Sequence, residues 1–288
     1  MQKKILGRYG NERGHWVGDG FPVRSLFSYS DFGNNLSPFL LLDYAGPYEF
    51  TPTAERRGVG VHPHKGFETV TIVYDGEVEH RDSSGGGGVI GSGDVQWMTA
   101  GNGIVHQEYH SPAYAKTGGP FRMVQLWVNL PSKDKSAPAA YQTIISADIP
   151  SVSFGENAGS MRVIAGSYDG VKGPAHVFSD LNVWDAILHQ GSEVTLHFPK
   201  GHTCAIVVLE GQLIVNGAET VGSAQFVLLD PEGDTAVLQA AGETGFLVLT
   251  GEPLNEPIAG YGPFVMNTQE EIHQAMEEFR SGKFGDIS

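Results

Sequence analysis

Two short histidine-containing triplets are the residues of this sequence best suited to chemistry. They are His62-Pro63-His64 and His106-Gln107-Glu108, and both lie in segments with the composition of β-strands. Side chains alternate between the two faces of a strand, so the first and third residues of each triplet point the same way. Two neighbouring strands could therefore direct three imidazoles and a carboxylate at one point inside a barrel. Such a donor set suits a divalent transition metal.

Two further residues compete for a place near this predicted site. Glu68 follows His64 by four residues and lies on the same strand face, so it is a rival carboxylate. His110 has the same relation to His106, and we keep it as a candidate neighbour of the ligands at the rim. His80 and Asp82 are interpreted as polar residues at the end of a hairpin. The glycines of the turn 98–103 would allow the positive φ needed for a sharp return into the second triplet.

The elements that must position these residues are predicted to be strands. The chain has 39 glycines among 288 residues, and they separate short runs of aliphatic and aromatic residues, which is typical of antiparallel sheets. One helix is predicted at the end, where Thr268 and Glu271 form a capping box before an apolar stripe of Ile272, Ala275, Met276 and Phe279. The sequence therefore predicts an all-β protein with a short C-terminal helix.

An internal repeat indicates two domains. The segment 72–79 resembles 207–214, and 90–98 resembles 221–229, so we predict an N-terminal metal-binding domain at 1–135 and a C-terminal domain at 136–288. The boundary is placed in the polar, proline-containing stretch 131–138. The second copy is expected to be degenerate, since the positions aligned with the four candidate ligands hold His197, Pro199, Val237 and Gln239.

Composition excludes several classes of function. The net charge of −15 would repel a phosphate backbone, so direct nucleic-acid binding is not expected. Cys204 is the single cysteine, and Met1 leads into no apolar leader segment, so a cytoplasmic location is expected. Apolar runs are too short for a membrane span. Phosphate-binding loops, the nucleophile elbow of hydrolases and the His-Glu-x-x-His zinc helix are missing from the sequence, which disfavours NTPase and hydrolase functions.

These motifs resemble the pirin family of the cupin superfamily. The resemblance rests on the segments 39–43, 62–71 and 79–83 and on 93–101 through the second triplet, and it extends over essentially the whole chain. It implies a bicupin of two tandem cupin-type β-sandwich barrels, with one mononuclear metal in the N-terminal barrel. Carried over residue by residue, it implies the ligands His62, His64, His106 and Glu108. Glu68 is then expected beside the ligands, holding an imidazole in its tautomer.

The resemblance also implies two alternative functions. Bacterial pirins are similar to quercetin 2,3-dioxygenases, which open a flavonol ring with dioxygen, and here Glu108 is expected to be the catalytic base for the flavonol 3-hydroxyl. The expected metal is Fe(II), with Ni, Cu, Mn, Co or Zn as alternatives. Other family members act as non-enzymatic, iron-dependent, redox-sensing regulators that bind a protein partner. We take the dioxygenase as the leading hypothesis.

Overall fold

The chain folds into two compact β units. A computed structural model describes residues 1–287. The first unit, here called barrel A, consists of Arg13–Ser25, Phe39–Ser146 and the chain from Asn255 onward. The second unit, barrel B, consists of Met1–Glu12, Leu26–Pro38 and Ala147–Leu254.

The regular elements are predominantly short strands, as the glycine-punctuated sequence predicts. The strands are β1 (Ile5–Gly10), β2 (His15–Val17), β3 (Phe21–Ser28), β4 (Phe39–Phe50), β5 (Gly58–His64), β6 (Phe67–Asp75), β7 (Val78–Asp82), β8 (Gly87–Ile90), β9 (Val95–Thr99), β10 (Ile104–His110), β11 (Gly119–Asn129), β12 (Ala140–Ile144), β13 (Ser151–Ser153), β14 (Gly159–Ala165), β15 (Ser167–Tyr168), β16 (Val171–Lys172), β17 (Leu181–Leu188), β18 (Glu193–His197), β19 (Thr203–Glu210), β20 (Gln212–Val215), β21 (Glu219–Gly222), β22 (Gln225–Leu229), β23 (Thr235–Ala240), β24 (Thr244–Gly251), β25 (Ala259–Tyr261) and β26 (Phe264–Met266). The helices are α1 (Tyr29–Phe32), α2 (Pro112–Thr117) and α3 (Gln269–Arg280), and 3₁₀ turns span Gly33–Leu36, Ser132–Asp134 and Ser146–Asp148.

Barrel A contains a seven-stranded and a four-stranded sheet. The larger sheet has the order β12-β9-β6-β11-β4-β3-β2, and the smaller has the order β5-β10-β7-β8. The core includes Phe21, Val73, Val78 and Phe121, all buried. Nearly every residue of β6 and β9 is buried, so both faces of these central strands are covered.

Barrel B repeats this arrangement, as the internal repeat predicts. Its seven-stranded sheet has the order β1-β22-β19-β24-β17-β14-β13, and its four-stranded sheet has the order β18-β23-β20-β21. Trp184, Ile206, Phe226 and Phe246 are buried in its core. The predicted all-β fold with two cupin-type barrels and a short C-terminal helix is confirmed.

The bounds of the two units do not coincide with the predicted single boundary at residue 135, because strands from the two sides of that residue pair with each other. β1 pairs with β22, so the first residues of the chain belong to barrel B. β12 pairs with β9, which keeps residues up to Ser146 in barrel A. The C-terminal segment from Asn255, which includes α3, also belongs to barrel A. The pairing of chain ends is a long-range property that local composition does not encode.

The C-terminal helix begins where its sequence predicts. Thr268 caps α3, and the reciprocal hydrogen bonds with Glu271 complete the capping box. Ile272 and Ala275 are buried on its apolar face, whereas Phe279 is 40% exposed. The predicted stripe is therefore confirmed in its first two turns and ends at a half-covered aromatic ring.

No helix within residues 1–287 combines the length and the apolar character needed to cross a membrane.

Candidate metal centre

Strand pairing brings the two histidine triplets side by side. β5 and β10 are antiparallel neighbours, and His62 lies directly opposite His106. A register shift between His106 and Glu108 places Glu108 opposite Val59. The turn before β10 has Gly101 at φ +47° and Gly103 at φ +116°, which confirms the positive φ values expected there. The sequence spacing thus produces one cluster on the smaller sheet of barrel A.

Two overlapping groups of donor atoms result from this pairing. One ligand atom from each of His62, His64 and His106 lies within 4.8 Å of the others. The same holds for His80, His106 and Glu108. His106 belongs to both groups, so it is the central residue of the cluster. The structure thus places the four predicted ligands together, in two groups that share one imidazole.

Hydrogen bonds orient the imidazoles of the first group. His62 Nδ1 lies 2.8 Å from the carbonyl oxygen of Gly60, and His64 Nδ1 lies 3.4 Å from that of Pro263. A carbonyl oxygen can only accept, so in each ring Nδ1 carries the proton and Nε2 carries the lone pair. His106 Nε2 is buried and has no hydrogen-bond partner within residues 1–287. The Nε2 lone pairs of His62 and His64, together with the unpartnered Nε2 of His106, are therefore the ring nitrogens open to a cation.

Burial keeps the central imidazoles neutral. Desolvation, reinforced by the neighbouring His62, lowers the pKa of His64 to about 3. Desolvation and the imidazoles of His64 and His62 lower the pKa of His106 well below its usual value. Neutral imidazole is the form that coordinates metals. Both rings are therefore in their ligand form at neutral pH.

Glu108 is held by a chain of hydrogen bonds. Gln96 Nε2 donates to Glu108 Oε1 at 2.6 Å, and Tyr141 Oη donates to Gln96 Oε1 at 3.2 Å. Burial raises the pKa of Tyr141 to about 12, so its phenol remains a donor at neutral pH. The Tyr141 hydroxyl group fixes the orientation of the Gln96 amide, and Gln96 in turn presents its NH₂ group to the Glu108 carboxylate. Glu108 is thus held as an acceptor.

His80 and Asp82 form a buried pair that the sequence interpretation missed. His80 is 0% exposed and Asp82 is 5% exposed. Asp82 ends β7 and accepts hydrogen bonds from Ser84 and Gly86 of the hairpin turn, in agreement with its interpretation as a hairpin-end residue, whereas His80 is buried within the sheet beside His106. His80 Nε2 lies 3.0 Å from Asp82 Oδ2, and His80 Nδ1 lies 3.4 Å from His106 Nδ1. The reason is register, because β7 pairs with β10 and sets His80 opposite Glu108. The available signal was the alternation of β7, which places these two residues on one face.

Glu68 accepts a hydrogen bond from a threonine hydroxyl and not from a clustered imidazole. It is buried, and Thr99 Oγ1 donates to its Oε1 at 2.8 Å. Burial raises the pKa of its carboxyl group to about 7. The Nδ1 atoms of the three clustered imidazoles are instead paired with Gly60, Pro263 and His80. The contact expected between Glu68 and a ligand imidazole has no support from these hydrogen bonds and stays a prediction.

His110 lies in an aromatic cluster. Its Nε2 donates to the carbonyl oxygen of Gly20 at 2.9 Å. Its ring packs against the rings of Phe21, Phe50, Tyr114 and Phe121. Desolvation lowers its pKa. These contacts describe a core histidine, and its predicted place beside the ligands gains no support from them.

A cavity of about 380 Å³ opens beside the cluster. His62, His64 and Glu108 line it on one side. The other walls are mainly apolar and include Phe21, Met123 and Trp127. This volume lies within the usual range for small-molecule sites, and an apolar wall with a few polar groups is the usual lining.

The donor set fits a transition metal. Imidazole nitrogens and a carboxylate oxygen suit Fe, Ni, Cu, Mn, Co or Zn. His106 Nε2 is buried and finds no partner among the described residues, so coordination of a metal would compensate the desolvation of this atom. His62, His64, His106 and Glu108 are the residues that would hold the ion, and His80 is a further donor near two of them.

Comparisons with known proteins agree with this architecture. The profile of the pirin family matches residues 20–128, and that of the pirin C-terminal cupin domain matches residues 183–285. A Pseudomonas aeruginosa protein named "putative quercetin 2,3-dioxygenase" is 61% identical, over 98% of both chains. A tomato pirin-like protein is 36% identical, over 98% of this chain and 92% of its own. The crystal structure of quercetin 2,3-dioxygenase from Acinetobacter baumannii has 58% identity, covers 100% of both chains and superposes with a TM-score of 0.98. The chain therefore belongs to the pirin family.

Proposed function

We propose that this protein is a metal-dependent dioxygenase of the quercetin 2,3-dioxygenase type, cleaving flavonol-like substrates with dioxygen. The observation that carries this proposal is the position of the imidazole cluster, two of whose members, His62 and His64, line a largely apolar cavity of about 380 Å³ together with Glu108. Relatives with the quercetin 2,3-dioxygenase name support the substrate class.

The metal would be held by His62, His64, His106 and Glu108, with Fe(II) as our choice and Ni, Cu, Mn, Co or Zn as alternatives. When bound, it would supply Lewis acidity toward the flavonol 3-hydroxyl oxygen and a position for dioxygen.

The chain's own residues would bind the substrate and take its proton. Phe21, Met123 and Trp127 offer apolar surface for aromatic rings and exclude water from the cavity. Glu108 also lines the cavity, and its carboxylate is oriented by Gln96. Glu108 would accept the proton of the 3-hydroxyl group as general base.

The alternative function, an iron-dependent redox-sensing regulator that binds a protein partner, predicts a closed site beneath a protein-binding patch. The cavity instead reaches His62, His64 and Glu108. Access for an aromatic molecule supports the enzyme.

The test is anaerobic purification with elemental analysis, followed by dioxygen uptake with quercetin. We expect about one metal ion per chain in the wild type, and metal-dependent uptake. His62→Ala should lose metal and uptake together because a ligand is removed. Glu108→Gln should lose uptake by at least about 100-fold, in line with the loss of a general base; retained metal would assign the base role, and lost metal the ligand role.

His189→Ala is the matched control, because it removes an exposed imidazole of barrel B. It should leave metal content and uptake unchanged. Bound iron without uptake in the wild type would instead favour the regulator, and uptake by metal-free protein would refute the mechanism.

A further inference from the structure

His106 differs from the other two clustered histidines in the group that faces its Nδ1. His62 and His64 meet carbonyl oxygens, which can only accept a proton. His106 Nδ1 meets His80 Nδ1 at 3.4 Å, and an imidazole nitrogen can either donate or accept. The tautomer of His106 is therefore decided by His80, and that of His80 by its own second partner.

That second partner is the carboxylate of Asp82. Its Oδ2 lies 3.0 Å from His80 Nε2, while its Oδ1 accepts hydrogen bonds from Ser84 N, Ser84 Oγ and Gly86 N at 2.8, 2.6 and 3.0 Å. Although burial raises the pKa of Asp82, the hydrogen bonds from His80 and Ser84 outweigh it and lower the pKa. An ionised carboxylate only accepts, so His80 Nε2 carries the proton.

The remaining proton positions in this series of hydrogen bonds follow from the number of N–H groups on each imidazole. A neutral imidazole has one N–H, so His80 Nδ1 accepts when His80 Nε2 donates to Asp82. His106 Nδ1 then donates to His80, and the lone pair of His106 lies on Nε2. That is the buried atom without a partner within residues 1–287.

His80 itself is poorly placed as a ligand, although it lies among the converging donors. Both of its ring nitrogens face protein groups, namely Asp82 and His106. Its ring also stacks on Tyr141, with a centroid distance of 4.7 Å and an interplanar angle of 15°. The stack and the two hydrogen bonds fix the ring plane.

We propose that Asp82 and His80 are positioning residues that hold His106 in the Nδ1–H tautomer and so set the metal affinity of the centre. The inference rests on the proposed function for the presence of a metal. The tautomer assignment concerns the metal-free protein and can be tested separately. Groups that orient a ligating imidazole typically affect metal affinity by about 10- to 100-fold.

The decisive variant is Asp82→Asn. The amide oxygen can still accept the hydrogen bonds from Ser84 and Gly86, which preserves the hairpin. The amide NH₂ would face His80 Nε2 and require it to accept, so His80 Nδ1 would donate to His106. The lone pair of His106 would move to Nδ1, away from the metal.

Two measurements report the effect. Long-range ¹H–¹⁵N spectra of histidine-labelled, metal-free protein at pH 8 should show His106 as the Nδ1–H tautomer in the wild type and as Nε2–H in Asp82→Asn. Competition with a chelator for Zn²⁺ should show a Kd about 10- to 100-fold higher in the variant. The thermal midpoint of the metal-free protein should stay close to that of the wild type.

Variants of His80 separate orientation from packing. His80→Phe keeps a ring against Tyr141 but removes the acceptor, and should weaken Zn²⁺ binding as Asp82→Asn does. His80→Asn restores an acceptor oxygen near the position of Nδ1 and should recover part of the affinity. Asp180→Asn is the matched control, since Asp180 Oδ2 lies 3.5 Å from His202 Nε2 in barrel B; it should leave the affinity unchanged.

An Nε2–H tautomer of His106 in the wild type would overturn the proposal. So would a change of tautomer in Asp82→Asn with an unchanged Kd for Zn²⁺, or equal effects of Asp82→Asn and Asp180→Asn. A wild type that binds no metal would refute the proposed function, and the spectra of the metal-free protein would still decide the tautomer.

Discussion

The imidazoles of His62 and His64 each direct a ring proton at a backbone carbonyl oxygen. Gly60 and Pro263 provide backbone acceptors for His62 and His64, and these acceptors cannot be changed by side-chain substitution. The cluster thus concentrates lone pairs in a partly desolvated space, where unpaired acceptors cost free energy. Occupation by a cation would remove that cost, so the same residues that bind a metal should gain stability from it.

A pH dependence is predicted for Glu68 at the residue scale. Burial raises its pKa from the usual 4.5 to about 7, so folding favours the protonated form. The corresponding stability is fully present below pH 4.5 and is lost as pH rises through 7. Glu68→Gln stays neutral at every pH. The free energy of unfolding of the variant relative to wild type should therefore rise by about 3 kcal/mol between pH 4.5 and pH 8.

Urea unfolding of the metal-free proteins at several pH values measures this difference. Glu55→Gln, at an exposed position of the same unit, is the control and should show no such rise. A difference between Glu68→Gln and wild type that stays constant with pH would contradict the assignment of a protonated, buried Glu68.

At the scale of elements, Lys65 and Gly66 join strand β5 to strand β6, so Gly66 lies two residues after His64. Its φ is +89°, and an added Cβ would lie 2.1 Å from the carbonyl oxygen of Val265. Gly66→Ala must therefore displace backbone as well as adopt a strained φ. We expect a loss of roughly 3–5 kcal/mol in unfolding free energy. Weaker Zn²⁺ binding should follow because His64 precedes the strained residue.

Gly85 offers a closely matched control. Its φ is +87°, and an added Cβ would meet no atom of residues 1–287 within 4 Å. Gly85→Ala isolates the cost of the φ angle and should lose only about 1–2 kcal/mol in unfolding free energy. Chemical denaturation and chelator competition on both variants give the comparison. Equal losses would show that the clash with Val265 is relieved without cost.

Local patterns predicted the elements that carry the centre. Strand alternation placed the two residues of each triplet on one face, and the pairing of His62 with His106 brings the triplets together. His80 was missed because its role depends on the register between β7 and β10, which is set by the whole sheet. The pairing of β1 with β22 could not be predicted either, because it also depends on the whole sheet. Alternation is visible in a single strand, but register and distant pairing are not.

At the scale of the whole molecule, the two units differ in chemistry. Both groups of converging donors found within residues 1–287 lie in barrel A. In barrel B, Val237 pairs with Thr195 and Gln239 pairs with Glu193 across the corresponding strands. In barrel A, His62 lies opposite His106, and Val237 is the residue of barrel B that aligns with His106. Thr195 lies opposite Val237, so it is the structural counterpart of His62, whereas the sequence alignment gave His197. One metal ion per chain is consistent with this asymmetry.

The C-terminal helix is tied to barrel A through a buried ion pair. Lys65 Nζ lies 2.9 Å from Glu278 Oε2 and also donates to the carbonyl oxygen of Asn102 at 2.8 Å. Lys283 and Gln274 donate to Glu278 Oε1 at 2.6 and 3.0 Å. The Glu278 carboxylate thus connects α3 and Lys283, which follows the helix, with Lys65, the residue after His64.

Acid should weaken this link, and Glu278→Gln should remove the effect. Although burial raises the pKa of Glu278, hydrogen bonds from Lys283, Lys65 and Gln274 outweigh it and lower the pKa to about 2. A lowered folded-state pKa gives stability that is present above 4.5 and is lost as pH falls toward 2. The variant should cost roughly 2 kcal/mol at pH 7, and the cost should shrink by pH 3 in denaturant unfolding of metal-free protein. Glu277→Gln, on the exposed face of α3, should cost little at either pH; parallel behaviour of the two variants would show that the ion pair does not hold the helix.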